Sequence, residues 1–290
     1  MPRIIMPFDI TADAAPNEAM VTGLIGNAPE DFRAVIDANP HLFAYLARLP
    51  LQEVGLPKYF DKPSRKLGDD NKPNYIYPSQ DRGVFIHILF STDNARHSYI
   101  PIEPSSIKDY TSLVKAVEQK LLELRGKIED VVTSNDRREQ LLEWVDSVIT
   151  VSGQGSPSTS GTASHKREKS VSIKKLVLSK DEMEGVRYLY IRDKHGLGAM
   201  QTLIADPYIE DISCSGLGNV FIEHKIFKAL RSSLVFDDVD DLDQFVLWLA
   251  ERIKKPITFR NPISDATLPD GSRINMVFGK QISKRGSNFT

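Results

Sequence analysis

"DPYIEDISCSGLGNVFIEHKIFKALRSSLVFDDVDDLDQFVLWLAERIKK", residues Asp206–Lys255, decides the fold class. Asp206-Pro207 introduces Ile209 to Cys214, which reads as a strand. Val220 to Glu223 is a second short strand, and 226–236 alternates loosely enough to pair with it. The period then changes. Leu242, Phe245, Val246, Leu249, Ala250 and Ile253 recur at helical spacing. The acidic run before them suits a helix N-terminus, and Lys254-Lys255-Pro256 suits its end. Strands followed by one amphipathic helix predict an α+β fold with mixed sheet and flanking helices.

Downstream, residues 266–268 and 273–278 flank Pro269-Asp270-Gly271-Ser272. Proline fixes φ, aspartate supplies a side-chain acceptor and glycine permits positive φ, so these residues predict the tight turn of a hairpin. With period 2, Ile274, Met276 and Phe278 share one face, and Arg273 and Asn275 the other.

Upstream, residues 1–72 are weakly patterned, with two short helices at 29–38 and 41–48 parted by Asn39-Pro40. Residues 84–90 and 99–102 predict a hairpin with a long loop. Pro101 places its second strand at a sheet edge or a strand end. Helical periodicity covers Tyr110 to Ile128 and 136–150, with 134–136 as N-cap candidates. Residues 152–170 are rich in Ser, Gly and Thr, lack apolar periodicity and read as a flexible insertion. The expected organisation is an extension at 1–72, a hairpin-plus-helix subdomain at 73–151, a linker at 152–171 and a mixed-sheet domain at 172–290.

The 290 residues are 41% apolar and 26% charged, with net charge −2. That balance gives no global electrostatic case for nucleic acid or an anionic membrane, so any basic site is local. A single cysteine, Cys214, excludes an internal disulfide, and no apolar run reaches membrane-spanning length. A cytoplasmic setting is expected.

Several constellations fail on inspection. The acidic run at 237–243 lacks the central glycine and closing glutamate of a calcium loop. The histidines show no metal spacing. Cys214, ending an apolar strand, reads as a buried structural thiol. The chain has no Gly-x-x-x-x-Gly-Lys-Ser/Thr loop, since Gly126-Lys127 precedes isoleucine and Gly279-Lys280 precedes glutamine. There remain Arg273 beside the tight turn, and Lys284, Arg285 and Ser287 at the head of the next strand. An arginine fork suits phosphate oxygens. On residues alone, a solvated face and a phosphate contact both stay open.

Residues 188–236, with Arg192-Asp193, Gly196-x-Gly198 and Asp206-Pro-x-Ile-Glu-Asp-Ile-Ser-Cys214, resemble the type II/IV secretion ATPase superfamily. So does 261–290, with "LPDGSRIN" and "KRGSNFT". The likeness covers about residues 75–290 and is greatest to archaeal secretion, pilus-assembly and archaellum motor ATPases; the insertion at 152–170 departs from it. It implies a PAS-like N-terminal domain preceded by a smaller helical/β subdomain, within a hexameric ring at the inner face of the membrane. The family's nucleotide-binding half would follow and carry the P-loop, so this chain is expected to be an N-terminal portion that does not hydrolyse ATP by itself. ATP and Mg²⁺ would belong to the full-length protein. By motif match Arg273 is the arginine that senses the γ-phosphate, with Lys284, Arg285 and Ser287 as nucleotide-cleft candidates and Pro269, Asp270 and Gly271 forming the turn. Implied partners are further copies of the chain and a polytopic membrane platform protein, not nucleic acid. The alternatives are a non-enzymatic adaptor for the ring or platform, and an unrelated small-ligand sensor.

Overall fold

Apolar and aromatic residues dominate 75–77, 84–90 and 99–102, and in the computed structural model these stretches become the centre of a large mixed sheet. The structure describes residues 2–8, 17–91, 96–124, 136–152, 175–268 and 270–290. In chain order the strands and helices are β1 (Arg3–Ile4), α1 (Glu18–Ile25), α2 (Glu30–Ala38), α3 (Pro40–Leu46), α4 (Leu51–Val54), β2 (Lys58–Tyr59), β3 (Asn74–Pro78), β4 (Phe85–Leu89) and β5 (His97–Ile102). Next come α5 (Thr111–Glu123), α6 (Arg137–Val148), β6 (Ile149–Val151), β7 (Leu176–Leu178) and α7 (Lys180–Lys194). The chain continues with α8 (Gln201–Ile204), β8 (Ile209–Ser213), β9 (Gly218–His224), β10 (Lys228–Phe236), α9 (Val239–Arg252), β11 (Ile263–Thr267), β12 (Arg273–Val277) and β13 (Asn288–Phe289). This is an α+β fold.

The chain divides into two compact units, one of residues 1–107 with 197–290, the other of residues 108–196. In the first, an eight-stranded sheet runs β2-β3-β4-β5-β10-β9-β8, with β1 also on β10. The β5–β10 and β2–β3 pairs are parallel, and the other pairs in this sheet are antiparallel. Strand alternation sorts side chains to two faces. Tyr75, Tyr77, Ile86, Ile88 and Tyr99 enter one core, which α9 also fills. Ile76, Phe85, Leu89, Ile100 and Ile102 enter another, covered by Phe32, Ile36, Leu42 and Leu46 of the early helices.

These pairings group the described residues differently from the expected segments 1–72, 73–151 and 172–290, and the expected boundary at 171/172 lies outside the described residues. Residues 17–56 form one cover of the sheet, because both faces of β3–β5 are apolar and each must be buried. Residues 84–102 belong with 209–236, and 175–196 with the helices upstream. Of the two placements expected for Pro101, sheet edge or strand end, the structure shows the strand end. β5 lies inside the sheet, between β4 and β10. Proline is tolerated because β5 and β10 pair only from His97 to Tyr99, after which β10 pairs with β1. Pro101 therefore sits near the strand end, where no ladder N–H is required on that side.

In the second unit, α5, α6 and α7 enclose their own core around Val117, Leu141, Val145 and Val186, with β6 and β7 as a parallel pair. Asp136 caps α6 by accepting from the N–H groups of Arg138 and Glu139. Ser179 and Glu182 form a reciprocal capping box on α7. The predicted extension of the first helix to Ile128 and the insertion at 152–170 fall outside the described residues, apart from Ser152. A methyl group at Gly185 would come within 2.3 Å of the Tyr110 ring. Gly185→Ala is therefore expected to lower the stability of this unit by about 1–3 kcal/mol, read as reduced protection of α5–α7 amides in hydrogen exchange.

Candidate functional site

The hairpin reading rests on β11, β12 and β13, an antiparallel three-stranded sheet with β12 in the middle. Asp238 starts α9 by accepting from the N–H groups of Asp240 and Asp241 at 2.8 and 3.0 Å. The helix then buries Leu242, Phe245, Val246 and Leu249 in the core that takes Ile274, Met276, Phe278 and Phe289 from the small sheet. With its inner face so occupied, the sheet presents Asp265, Thr267, Arg273 and Asn275 outward.

The turn before β12 is held locally. Leu268 N–H donates to Ser272 O at 2.8 Å and Gly271 N–H to Leu268 O at 3.0 Å. The Asp270 carboxylate accepts from the Ser272 N–H at 3.1 Å and from its hydroxyl at 2.7 Å. Gly271 has φ +91°, the left-handed region that other residues avoid. Pro269 lies outside the described residues. Arg273 follows this turn, opposite Thr267, with its side chain exposed and in no ion pair among the described residues. Asn275, on the same face, is instead tied to Asp265 at 2.6 Å. Beside the turn is a groove of about 110 Å³, lined by Asp270, Ser272 and Arg273, by Glu210 and Asp211 of β8, and by apolar groups including Leu249, Ile274 and Phe289.

The other site residues read from the sequence are not gathered here. Val277 pairs with Asn288, so the 284–287 segment lies at the far end of β12 from Arg273. Four strand steps put about 13 Å between those ends. Lys284 and Arg285 are exposed there. Ser287 is fully buried. Its hydroxyl donates to Asp243 and accepts from the Gly279 N–H at 2.9 Å, so it braces the sheet from inside rather than lining an open cleft.

The motif around Cys214 has a packing explanation. Cys214 and Phe289 exchange both backbone hydrogen bonds, at 2.9 and 3.1 Å. A side chain on Gly216 would meet the Arg285 carbonyl at 2.6 Å, and the glycine itself has φ +112°. The close approach of the Arg285 backbone, ahead of β13, to the segment that follows β8 thus requires glycine at this position. Burial pushes the Cys214 thiol up to about 11, which keeps it protonated and unreactive at neutral pH.

A buried polar network escaped sequence reasoning. The Asp206 carboxylate accepts from the hydroxyls of Tyr77 at 2.7 Å and Tyr99 at 2.8 Å, and from the Tyr208 N–H at 2.9 Å. Burial pushes its pKa up against the pull of those hydrogen bonds. His224 Nδ1 accepts from the N–H groups of Ile226 and Phe227 at 3.1 and 3.2 Å. The proton therefore sits on Nε2, which donates to Tyr77 Oη at 3.1 Å. Tyr77 and Tyr99 lie 129 and 107 residues from Asp206. The available signal was local: two tyrosines on inward-facing positions of apolar strands, each needing an acceptor.

Among the described residues no group of three or more His, Cys, Asp and Glu is arranged to hold a metal ion, and no helix is long and apolar enough to cross a membrane. No protein-family model matches the chain. Among curated proteins it is similar to the uncharacterized protein MJ0900 of Methanocaldococcus jannaschii, 31% identical over 261 residues, a match covering 90% of this chain and 46% of that protein. It is also similar to the uncharacterized protein MJ1288 of the same organism, 29% identical over 231 residues, 76% of this chain and 79% of that protein. A shorter match, 30% identical over 95 residues, reaches 13% of MJ0781. The chain thus spans about half the length of the first of these relatives and about four-fifths of the second.

Proposed function

We propose that the chain is the N-terminal regulatory half of a hexameric ATPase that powers type II secretion, type IV pilus or archaellum assembly, and that Arg273 is its phosphate-sensing residue. The observation that carries this reading is the presentation of Arg273. A side-chain-locked turn fixes its backbone, the central strand of a small sheet holds it, and its guanidinium is exposed without an ion pair among the described residues. A guanidinium so placed can meet phosphate oxygens with two parallel N–H donors. It gains most where negative charge develops during phosphoryl transfer.

In this reading ATP and Mg²⁺ are held by a nucleotide-binding half, since a hard cation needs carboxylate and phosphate oxygens arranged around it. This chain's own contribution is Arg273, poised to reach phosphates bound elsewhere in the ring. Lys284 and Arg285 stand apart from that contact, and Ser287 supports the strand. Further partners are other copies of the chain and a polytopic platform protein, with the assembly peripheral to the cytoplasmic face of the membrane. The length of the first relative, about twice the matched region, is compatible with a following domain.

Fused to a complete nucleotide-binding half, Arg273→Ala is expected to reduce ATP turnover by about 10²-fold or more with the melting temperature unchanged. Unchanged turnover would remove Arg273 from the mechanism. A second reading, a non-enzymatic adaptor for the ring or platform, is favoured by the match that covers 79% of its relative's length, which leaves that protein little room for another domain. Pull-down of the platform protein by this chain alone, with no dependence on Arg273, supports the adaptor.

A further inference from the structure

Residues 252–264 and 271–290 carry Lys and Arg but no Asp or Glu, in a chain whose net charge is −2. Part of this charge gathers at the end of the small sheet opposite Arg273. Thr258 and Asn261 exchange backbone hydrogen bonds at 3.0 and 3.1 Å, which leaves Phe259 and Arg260 at the apex of a tight loop. The Phe259 ring meets Phe278 edge-on at 5.1 Å yet stays 78% exposed. Phe278 N–H donates to Pro262 O, and Ile263 pairs with Val277, so this loop adjoins the turn that starts at Gly279. That second turn carries Lys280 and Ile282, the latter 53% exposed, and runs on to Lys284 and Arg285. Ile263, between them in the sheet, is 55% exposed.

Three large apolar side chains thus stand out beside four cations. None of the four forms an ion pair among the described residues. The Asp243 carboxylate, close to the second turn, is engaged by Ser287. Solitary exposed apolar groups need no explanation, but a cluster ringed by unpaired like charges marks an interaction site. Its chemistry combines shallow apolar insertion with attraction to anions.

We propose that this surface docks the protein on an anionic lipid bilayer, with Phe259 and Ile282 entering the headgroup boundary and Arg260, Lys280, Lys284 and Arg285 meeting lipid phosphates. A bilayer is favoured over an acidic protein because the apolar groups sit on two turns, which a deformable surface admits without a matching groove. The geometry is independent of Arg273, so the phosphate-sensing reading can fail while this one stands.

The test is co-sedimentation of the 290-residue chain with phosphatidylcholine vesicles, with and without phosphatidylglycerol. Binding is expected only when phosphatidylglycerol is present, with loss at high salt. Arg260→Gln with Lys280→Gln should weaken it about 25-fold, from about five-fold per cation. Phe259→Ser should weaken it roughly tenfold, and all variants should keep the parent's circular dichroism and melting temperature. Failure to bind phosphatidylglycerol vesicles, which would leave the surface to an acidic protein, overturns the proposal. So does binding that these substitutions leave unchanged, or binding that inorganic phosphate at millimolar concentration abolishes at constant ionic strength.

Discussion

Asp206→Ala is expected to destabilise the protein by about 3–5 kcal/mol, since each buried donor stripped of its acceptor costs about 1–3 kcal/mol. Alanine at 206 leaves the Tyr77 and Tyr99 hydroxyls and the Tyr208 N–H without their acceptor. Both tyrosines are essentially inaccessible to water. Tyr99→Phe, which removes one donor and leaves the carboxylate its other two, should cost only about 1 kcal/mol. Urea unfolding of the two variants against the parent measures the difference. A shift below about 1 kcal/mol for Asp206→Ala would mean that the tyrosines find other partners and that the network is not a structural anchor.

Acidification should weaken the fold steeply. Burial holds His87 down to about 3 and His224 down to about 4, well below the usual 6.5. Both are neutral in the native state for a geometric reason as well. Asn74 donates its amide N–H to Val54 O, which turns its oxygen toward His87 Nε2 at 2.8 Å, so His87 Nδ1 must accept the Tyr45 hydroxyl at 2.7 Å. His224 Nδ1 already accepts two backbone donors. Protonating either ring would turn an acceptor into a donor facing a donor. The unfolded chain takes up these protons near pH 6.5 while the native state refuses them. The stabilisation is therefore complete above that pH and lost as pH falls toward 4 and then 3. Two such groups lower stability by on the order of 5 kcal/mol between pH 7 and 4. Asp206 works the other way, because its raised pKa lets the folded protein take up a proton first, and it blunts the slope at the acid end. Denaturant midpoints across this range should fall with pH. His224→Gln should be less stable at pH 7 but flatter in its pH response; an unchanged slope would show that His224 titrates normally.

Much of the small sheet was legible in the sequence because its determinants are local. The helical period from Leu242 to Ile253, the Asp-Gly turn and the alternation of Arg273 and Asn275 with Ile274 and Met276 lie within a few residues of what they specify. The hairpin of β4 and β5 was legible for the same reason. The parallel pairing of β5 with β10 was not, since His97 meets Leu230 across more than a hundred residues and nothing in either segment names the other. The helices expected at 29–38 and 41–48 form as α2 and α3, but their shared role as a cover of the sheet was not legible, because short helices show little periodicity individually. The burial of Ser287 was not legible because its pattern, a hydroxyl beside two cations, is common to surface loops; only the position of Asp243 draws it inside.

The β5–β10 pairing also bears on how the chain must be made. β5 leaves the ribosome with both faces apolar and one side of its backbone unpaired, and its neighbour is encoded only after the whole of residues 108–196. During that interval the α5–α7 unit, with a core of its own, can close by itself, while the first half of the great sheet waits as an open edge. Such an edge invites pairing with other nascent chains. Synthesis therefore has its most vulnerable period between Ile102 and Lys228, and a chain interrupted there carries an unfinished sheet.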